Sequence, residues 1–191
     1  MAPERKGAMG LRERILYGKD QQFCEWFHQQ CIFVRNNADV AARRFKNRKL
    51  AAVIDSRNVQ QLDDLIGNYM SALFILYLFF IISEDKGEDY LAKHLTPMAS
   101  VISTVFGPHV LGLYQGGIEY VSAHGIAPES AITHLMVDRL QVPLNQERDA
   151  LEHTYQFFEE SLKELYVPVL EETYAHNPNA LRVTLEAFGV E

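Results

Sequence analysis

Residues Leu65–Ser83 read LIGNYMSALFILYLFFIIS, a run of 19 residues without a charged side chain. As a helix, a run of this length is long enough to cross a bilayer. The same pattern is typical of a helix that is buried on all sides in a bundle. Polar atoms distributed along it at Tyr69, Ser71 and Tyr77, and aromatic rings in its middle, favour a protein environment. We therefore predict a buried apolar helix over about 59–83, with a single-span membrane anchor at 65–83 as the alternative.

Helical periodicity continues on both sides of this stretch, and no alternating run long enough for a sheet is visible. Asn37, Asn145 and Asn177 are placed to cap helices, and Pro168 is expected to interrupt one. The predicted helices cover residues 20–34, 38–54, 59–83, 89–106, 109–124, a segment from 128 to about 143, a segment after 145, and a last one after 177. We predict an all-α, single-domain bundle of about seven or eight helices over 19–191. A basic N-terminal arm, expected to be flexible, precedes it over 1–18.

Glycine and proline mark the helix ends in the second half of the chain. Gly107-Pro108 is a strong breaker pair, and Gly125 is placed for a left-handed helix stop. Pro128 suits the first turn of the following helix, where the charge of Glu129 complements the positive helix end. Gly116-Gly117 has no preceding strand, so we interpret this pair as a close approach between helices and not as a nucleotide loop.

Charge is distributed unevenly along a chain whose formal net charge is −7. Residues 1–58 hold 12 of the 18 Lys and Arg and 6 of the 25 acids, a net charge of +6. The remainder carries a net charge of −13. This asymmetry predicts either an acidic partner for the first part or docking between the two parts. The residues expected to contact an acidic partner are Arg43, Arg44, Lys46, Arg48 and Lys49. Overall acidity and a single aromatic residue in this cluster, Phe45, disfavour nucleic acid.

The two cysteines, Cys24 and Cys31, lie about two turns apart on one predicted helix, roughly 10 Å along its axis. Disulfide geometry requires Cα atoms within about 7 Å, so we expect two thiols in the core and no bridge. The charged N-terminus, MAPERKGAMGLRERILYGKD, lacks the apolar region of a secretory signal. A cytoplasmic location is expected.

Sequence motifs for catalysis are missing. The chain has no GxSxG, no HExxH, no Gly-rich phosphate loop and no Cys–His signature. The seven histidines do not show the spacing of metal ligands, so no cofactor is predicted. Histidines from different helices could still converge, so a site for haem or a single metal ion stays an open alternative. An enclosed small apolar or haem-like ligand among core aromatic residues is a further hypothesis. Its predicted binding residues are Tyr69, Tyr77, His109, Tyr114 and His124.

Residues 95–144, LTPMASVISTVFGPHVLGLYQGGIEYVSAHGIAPESAITHLMVDRLQVPL, carry a partial family resemblance. The Leu-x-Pro that opens a buried helix and the turn at Gly125–Pro128 resemble the helical C-terminal domain of phosphogluconate-dehydrogenase-like oxidoreductases. The dinucleotide-binding domain of that family has no counterpart here, so no catalytic residue is carried over. The resemblance implies an all-helical fold that often forms dimers.

Three functional hypotheses follow from these observations. The first is a soluble all-helical interaction or regulatory module, with a basic N-terminal third, that binds a protein partner or associates with itself. The second is a ligand-binding protein or enzyme with a pocket in the helical core. The third is a membrane protein anchored by 65–83, which the polar atoms within that stretch disfavour.

Overall fold

The computed structural model describes residues 21–45, 59–140 and 147–190. These residues form seven helices and no strand, which confirms the predicted all-α bundle. The helices are α1 (Gln21–Phe45), α2 (Val59–Lys86), α3 (Glu88–Phe106), α4 (Pro108–His124), α5 (Pro128–Leu140), α6 and α7 (Pro178–Ala187). Helix α6 consists of an α-helical part (Glu147–Ser161), a π-helical turn (Leu162–Tyr166) and a second α-helical part (Val167–Thr173). The predicted N-terminal arm lies outside the described residues.

Helix α2 is the centre of the bundle and packs against α1, α3, α4, α5 and α7. Seven consecutive residues, Ala72–Leu78, have no exposed surface. Since seven residues of a helix cover its whole circumference, α2 is enclosed on all sides here. The prediction of a buried apolar helix is confirmed.

By length and composition, Asp64–Lys86 could also cross a membrane, and it is the one such stretch among the described helices. Its most apolar window is 72% buried inside the protein. The side chains that lipid would have to contact are therefore mostly covered by α1, α3, α4, α5 and α7.

Several predicted helix ends are confirmed. Gly107 and Gly125 follow α3 and α4 with φ angles of 86° and 61°, a region that favours glycine. The side chain of Asn177 caps α7 by accepting a hydrogen bond from the Ala180 N–H at 3.3 Å, and Pro178 occupies the first helical position. These signals therefore place the connections between α3, α4 and α5 and the start of α7.

The predicted break at Asn37 is wrong. Helix α1 is continuous through this position, and the Asn37 side chain donates a hydrogen bond to the Phe33 carbonyl at 3.0 Å instead of capping a new helix. The buried face of α1 also continues past it through the small residues Ala38, Ala41 and Ala42. A stripe that keeps packing on α2 outweighs the capping preference of one asparagine. The rest of the predicted helix 38–54 lies beyond the described part of α1.

Pro168 was expected to interrupt a helix, and α6 instead widens before it and then continues. The Val167 N–H bonds to the Leu162 carbonyl, five residues back. Proline lacks the N–H that an α-helix needs and clashes with the preceding turn. The π-helical turn accommodates this defect, and helix continues to Thr173.

The Gly116-Gly117 pair supports a test of close packing between α2, α4 and α5. A Cβ atom built at Gly117 would lie 2.6 Å from Leu76 Cδ1 and 3.3 Å from Ile132 Cδ1. Leu76 is fully buried, so its methyl group cannot move without displacing neighbours. At Gly116 the built Cβ lies 3.7 Å from Leu135 Cδ1, an ordinary contact.

We expect the Gly117→Ala variant to be less stable than Gly116→Ala by about 1–3 kcal/mol in urea denaturation. Both substitutions improve helix propensity by a similar amount, so the difference between them isolates the packing effect. Equal stability of the two variants would show that α4 does not approach α2 as closely as described.

Candidate functional site

An aromatic-lined cavity, here called the aromatic pocket, lies where the start of α1, the α2–α3 junction and the end of α6 meet. Its volume is about 290 Å³, at the lower end of the range for small-molecule sites. The lining residues are Gln22, Phe23, Trp26, Ile82, Asp85, Lys86, Tyr90, Tyr174 and His176. They come from three stretches that are far apart in sequence.

The aromatic walls of this pocket are held in place by the core. Phe23 is 8% exposed and stacks on the fully buried Phe27, with ring centroids 5.7 Å apart. Trp26 and Tyr90 each lie 5.9 Å from the Phe23 ring, in tilted and edge-on arrangements. Tyr174, 2% exposed, supplies the wall from beyond α6. Rings fixed in this way offer a preformed apolar surface to a ligand.

Asp85 is the acidic group of the aromatic pocket, and its side chain is only 6% exposed. It accepts hydrogen bonds from Asn177 Nδ2 at 2.6 Å and from His176 Nε2 at 3.3 Å, and its carboxylate pairs with Lys86 Nζ at 2.9 Å. Burial acts to raise the pKa of Asp85, but the hydrogen bonds from Lys86, Asn177 and His176 outweigh it, so the pKa lies below its usual value. Asp85 is therefore an ionised carboxylate at neutral pH.

A second cavity, of about 680 Å³, lies between α1, α2 and the end of α3. Its charged lining consists of two arginines and two aspartates, Arg35, Arg43, Asp39 and Asp64. The Arg43 Nε group already donates to the Asp39 carbonyl at 3.1 Å. With balanced charge and few aromatic walls, this cavity is a solvated groove without a distinct preference for a ligand.

Glu129 is a buried acid on the first turn of α5, with no exposed surface. Neither of its carboxylate oxygens accepts a hydrogen bond of good geometry. The Tyr77 hydroxyl, which faces Glu129 from α2, also makes no hydrogen bond of good geometry. Burial raises the pKa of Glu129, whereas its own backbone N–H and the Tyr77 hydroxyl lower this pKa. The effect of burial is the larger one, so the pKa lies above its usual value. Tyr155, Glu159 and Lys163 of α6 also act on this pair.

A buried acid with a raised pKa is a common feature of functional sites. However, neither the aromatic pocket nor the groove is lined by Glu129 or Tyr77. The position of Glu129 therefore bears on stability more than on ligand access.

The five residues predicted from the sequence to bind a ligand do not line either cavity. Tyr69, Tyr77 and Tyr114 are buried in the core, and the Tyr69 hydroxyl donates to the Leu135 carbonyl at 3.1 Å. His109 and His124 are exposed at opposite ends of α4. A ligand site made of these five residues therefore stays a prediction.

Of the predicted basic contact residues, Arg43 and Arg44 are described, and Lys46, Arg48 and Lys49 lie outside the described residues. Arg44 Nη1 pairs with Glu164 Oε2 on the π-helical turn of α6 at 2.6 Å. This contact joins the basic first part of the chain to the acidic second part, as one of the two interpretations of the charge asymmetry predicts. Both side chains are at least half exposed, so the pair contributes little to stability.

The cysteines and histidines provide no further site. Cys24 and Cys31 are buried thiols on α1, and burial raises the pKa of Cys31. Within the part of the chain that the structure describes, no group of three or more His, Cys, Asp and Glu could hold a metal ion. The hypothesis of haem or a single metal ion gains no support from these residues.

No family model, curated protein or solved structure matches this chain. The resemblance to phosphogluconate-dehydrogenase-like oxidoreductases therefore stays a prediction. Functional evidence comes from the geometry of the chain itself, in which the aromatic pocket combines apolar walls with an ionised carboxylate. Phe23 and Trp26 lie within the predicted helix 20–34, and Asp85 lies just beyond the predicted helix 59–83. Sequence reasoning gave these residues no role in a site. It did not bring these residues together with Tyr174.

Proposed function

We propose that this protein binds a small organic molecule in the aromatic pocket. One observation carries the proposal: four aromatic side chains and an ionised, nearly buried carboxylate converge on a cavity of about 290 Å³. Binding sites for small molecules combine such apolar walls with a few fixed polar groups. We also propose a cytoplasmic location, supported by two buried cysteine thiols that form no disulfide.

An interaction module remains the other candidate. The ion pair between Arg44 and Glu164 supports internal docking of opposite charges more than attraction of an acidic partner. Among the described residues, α1, α2, α3 and the stretch after α6 together line the aromatic pocket. Ligand binding is therefore the function that the geometry supports best.

Trp26 is the only tryptophan of the chain and lines the pocket, so its fluorescence reports binding directly. The experiment titrates the purified protein with benzylammonium, benzyl alcohol and phenylacetate, which share an aromatic ring and differ in charge. We expect saturable fluorescence changes, matched by heat in calorimetry, for at least one of the three.

Matched tyrosine variants localise the binding. Tyr90→Ala removes a wall of the pocket and should weaken binding about tenfold or more. Tyr120→Ala on α4 removes a half-buried ring outside the pocket and should leave binding unchanged. The proposal is overturned if no probe gives a saturable response, or if both variants weaken binding equally.

A further inference from the structure

We propose that the ligand of the aromatic pocket is an organic cation, whose ammonium group binds beside Asp85 in the place that Lys86 Nζ now occupies. This inference rests on the proposed ligand-binding function and adds the chemical class of the ligand. Three independent features of the pocket support it: its aromatic rings, the arrangement of Asp85 and Lys86, and the charge around its rim.

The aromatic rings suit a cation. Tryptophan offers the most favourable face for a cation–π contact, and tyrosine and phenylalanine follow. Trp26, Phe23, Tyr90 and Tyr174 all line this one cavity. Aromatic side chains that line a cavity attract ammonium groups where their electronegative ring faces are open to it.

Asp85 supplies the opposite charge, and the Lys86 ammonium group that now pairs with it can be exchanged for another cation. The carboxylate is held by Asn177 Nδ2 at 2.6 Å, and the position of Asn177 is fixed because its side-chain oxygen also caps α7. Lys86, in contrast, is the last residue of α2, and its side chain is 47% exposed on a flexible stem. A ligand ammonium that displaces Lys86 Nζ would restore the ion pair and gain the ring contacts, while the lysine returns to water.

The charge around the pocket also favours a cation. Glu84, Glu88 and Asp89 are exposed on the helix ends that border Asp85. Lys86 is the only basic residue between positions 84 and 89, which hold four acids. The net charge of −3 over residues 84–89 attracts cations to this side of the pocket and repels anions.

The test compares benzylammonium with benzyl alcohol, its neutral counterpart of nearly equal shape, and with phenylacetate. Binding is measured by Trp26 fluorescence and by calorimetry. We expect benzylammonium to bind about tenfold or more tightly than benzyl alcohol, and phenylacetate to bind most weakly. If benzyl alcohol or phenylacetate binds as tightly as benzylammonium, the cation inference is overturned while the proposed function stands. If none of the three binds, both fall.

Two variants test the exchange at Asp85. Lys86→Met removes the competing ammonium from a half-exposed position and should tighten benzylammonium binding several-fold, by a larger factor than it changes benzyl alcohol binding. Asp85→Asn keeps the shape of the side chain and should remove most of the preference for the cation, with the fold checked by circular dichroism. Weaker benzylammonium binding by Lys86→Met, or an unchanged preference in folded Asp85→Asn, would overturn the inference.

Discussion

Phe74→Ala is expected to lower the free energy of unfolding by about 3–5 kcal/mol, because it removes a large side chain from the centre of α2. Phe74 has no exposed surface, and its ring stacks on the fully buried Tyr166 of α6 with centroids 4.3 Å apart. The substitution leaves a cavity where α2 meets α6, and neighbours in a closely packed core fill such a cavity only in part. Urea denaturation followed by circular dichroism measures the loss.

Phe33→Ala on α1 is the matched control, because it makes the same chemical change at a ring that is 51% exposed. It should alter stability by no more than about 0.5 kcal/mol. If Phe74→Ala does not fold, Phe74→Leu gives a milder loss of about 1–2 kcal/mol on the same scale. Similar effects at Phe33 and Phe74 would contradict the enclosed position of α2.

Glu129→Gln is expected to raise stability at neutral and alkaline pH and to remove one component of the pH dependence of folding. The carboxyl group of Glu129 is fully buried and faces the Tyr77 hydroxyl, and burial raises its pKa above the usual value. Ionisation would place a charge among groups that cannot stabilise it well. Glutamine keeps the size of the side chain and carries no charge at any pH.

The sign of this effect follows from proton linkage. Above a pKa of about 4.3, an unfolded glutamate releases its proton, whereas the folded protein keeps the proton on Glu129 until the raised pKa is passed. In that window unfolding releases a proton, so the contribution of Glu129 makes the free energy of unfolding fall as pH rises, by at most about 1.4 kcal/mol per pH unit. Below a pH of about 4.3 the stabilising contribution of the protonated Glu129 is fully present. Above the raised pKa of Glu129 this contribution is lost.

The measurement compares urea denaturation of wild type and Glu129→Gln between pH 4 and pH 8. The stability advantage of the variant should grow with pH above about 4.3 and become constant once the raised pKa of Glu129 is passed. Glu119→Gln on the exposed side of α4 is the control and should follow the wild-type profile. A wild type that stays more stable than Glu129→Gln by a constant amount at every pH would contradict a raised pKa at Glu129.

Much of the fold was predictable because its signals are local. The uncharged run Leu65–Ser83 identified the central helix, and Gly107, Gly125 and Asn177 marked helix ends through backbone preferences that act within one turn. The error at Asn37 has the opposite origin. Whether a capping residue starts a helix there depends on how Ala38 and its neighbours pack on α2, and this packing is a tertiary property.

The candidate site was much less predictable, because no periodicity connects its parts. Trp26, Asp85 and Tyr174 come from three stretches that only the packing of α1, α2 and α6 brings together. Asp85 lies just beyond the predicted helix 59–83, in a charged stretch to which the sequence assigned no site. Glu129 was predicted at the start of α5, but its burial against α2 and α6 depends on the arrangement of three helices.

Labelling of α2 from the lipid phase tests most directly whether the protein itself encloses this helix. The full chain is mixed with phospholipid vesicles that contain a hydrocarbon-soluble photoreactive probe, and the peptide with residues Leu65–Ser83 is analysed by mass spectrometry after illumination. Because Ala72–Leu78 have no exposed surface, we predict that these seven residues carry no label while the lipid reacts. Label on Phe74 would show that lipid, and not the other helices, surrounds α2.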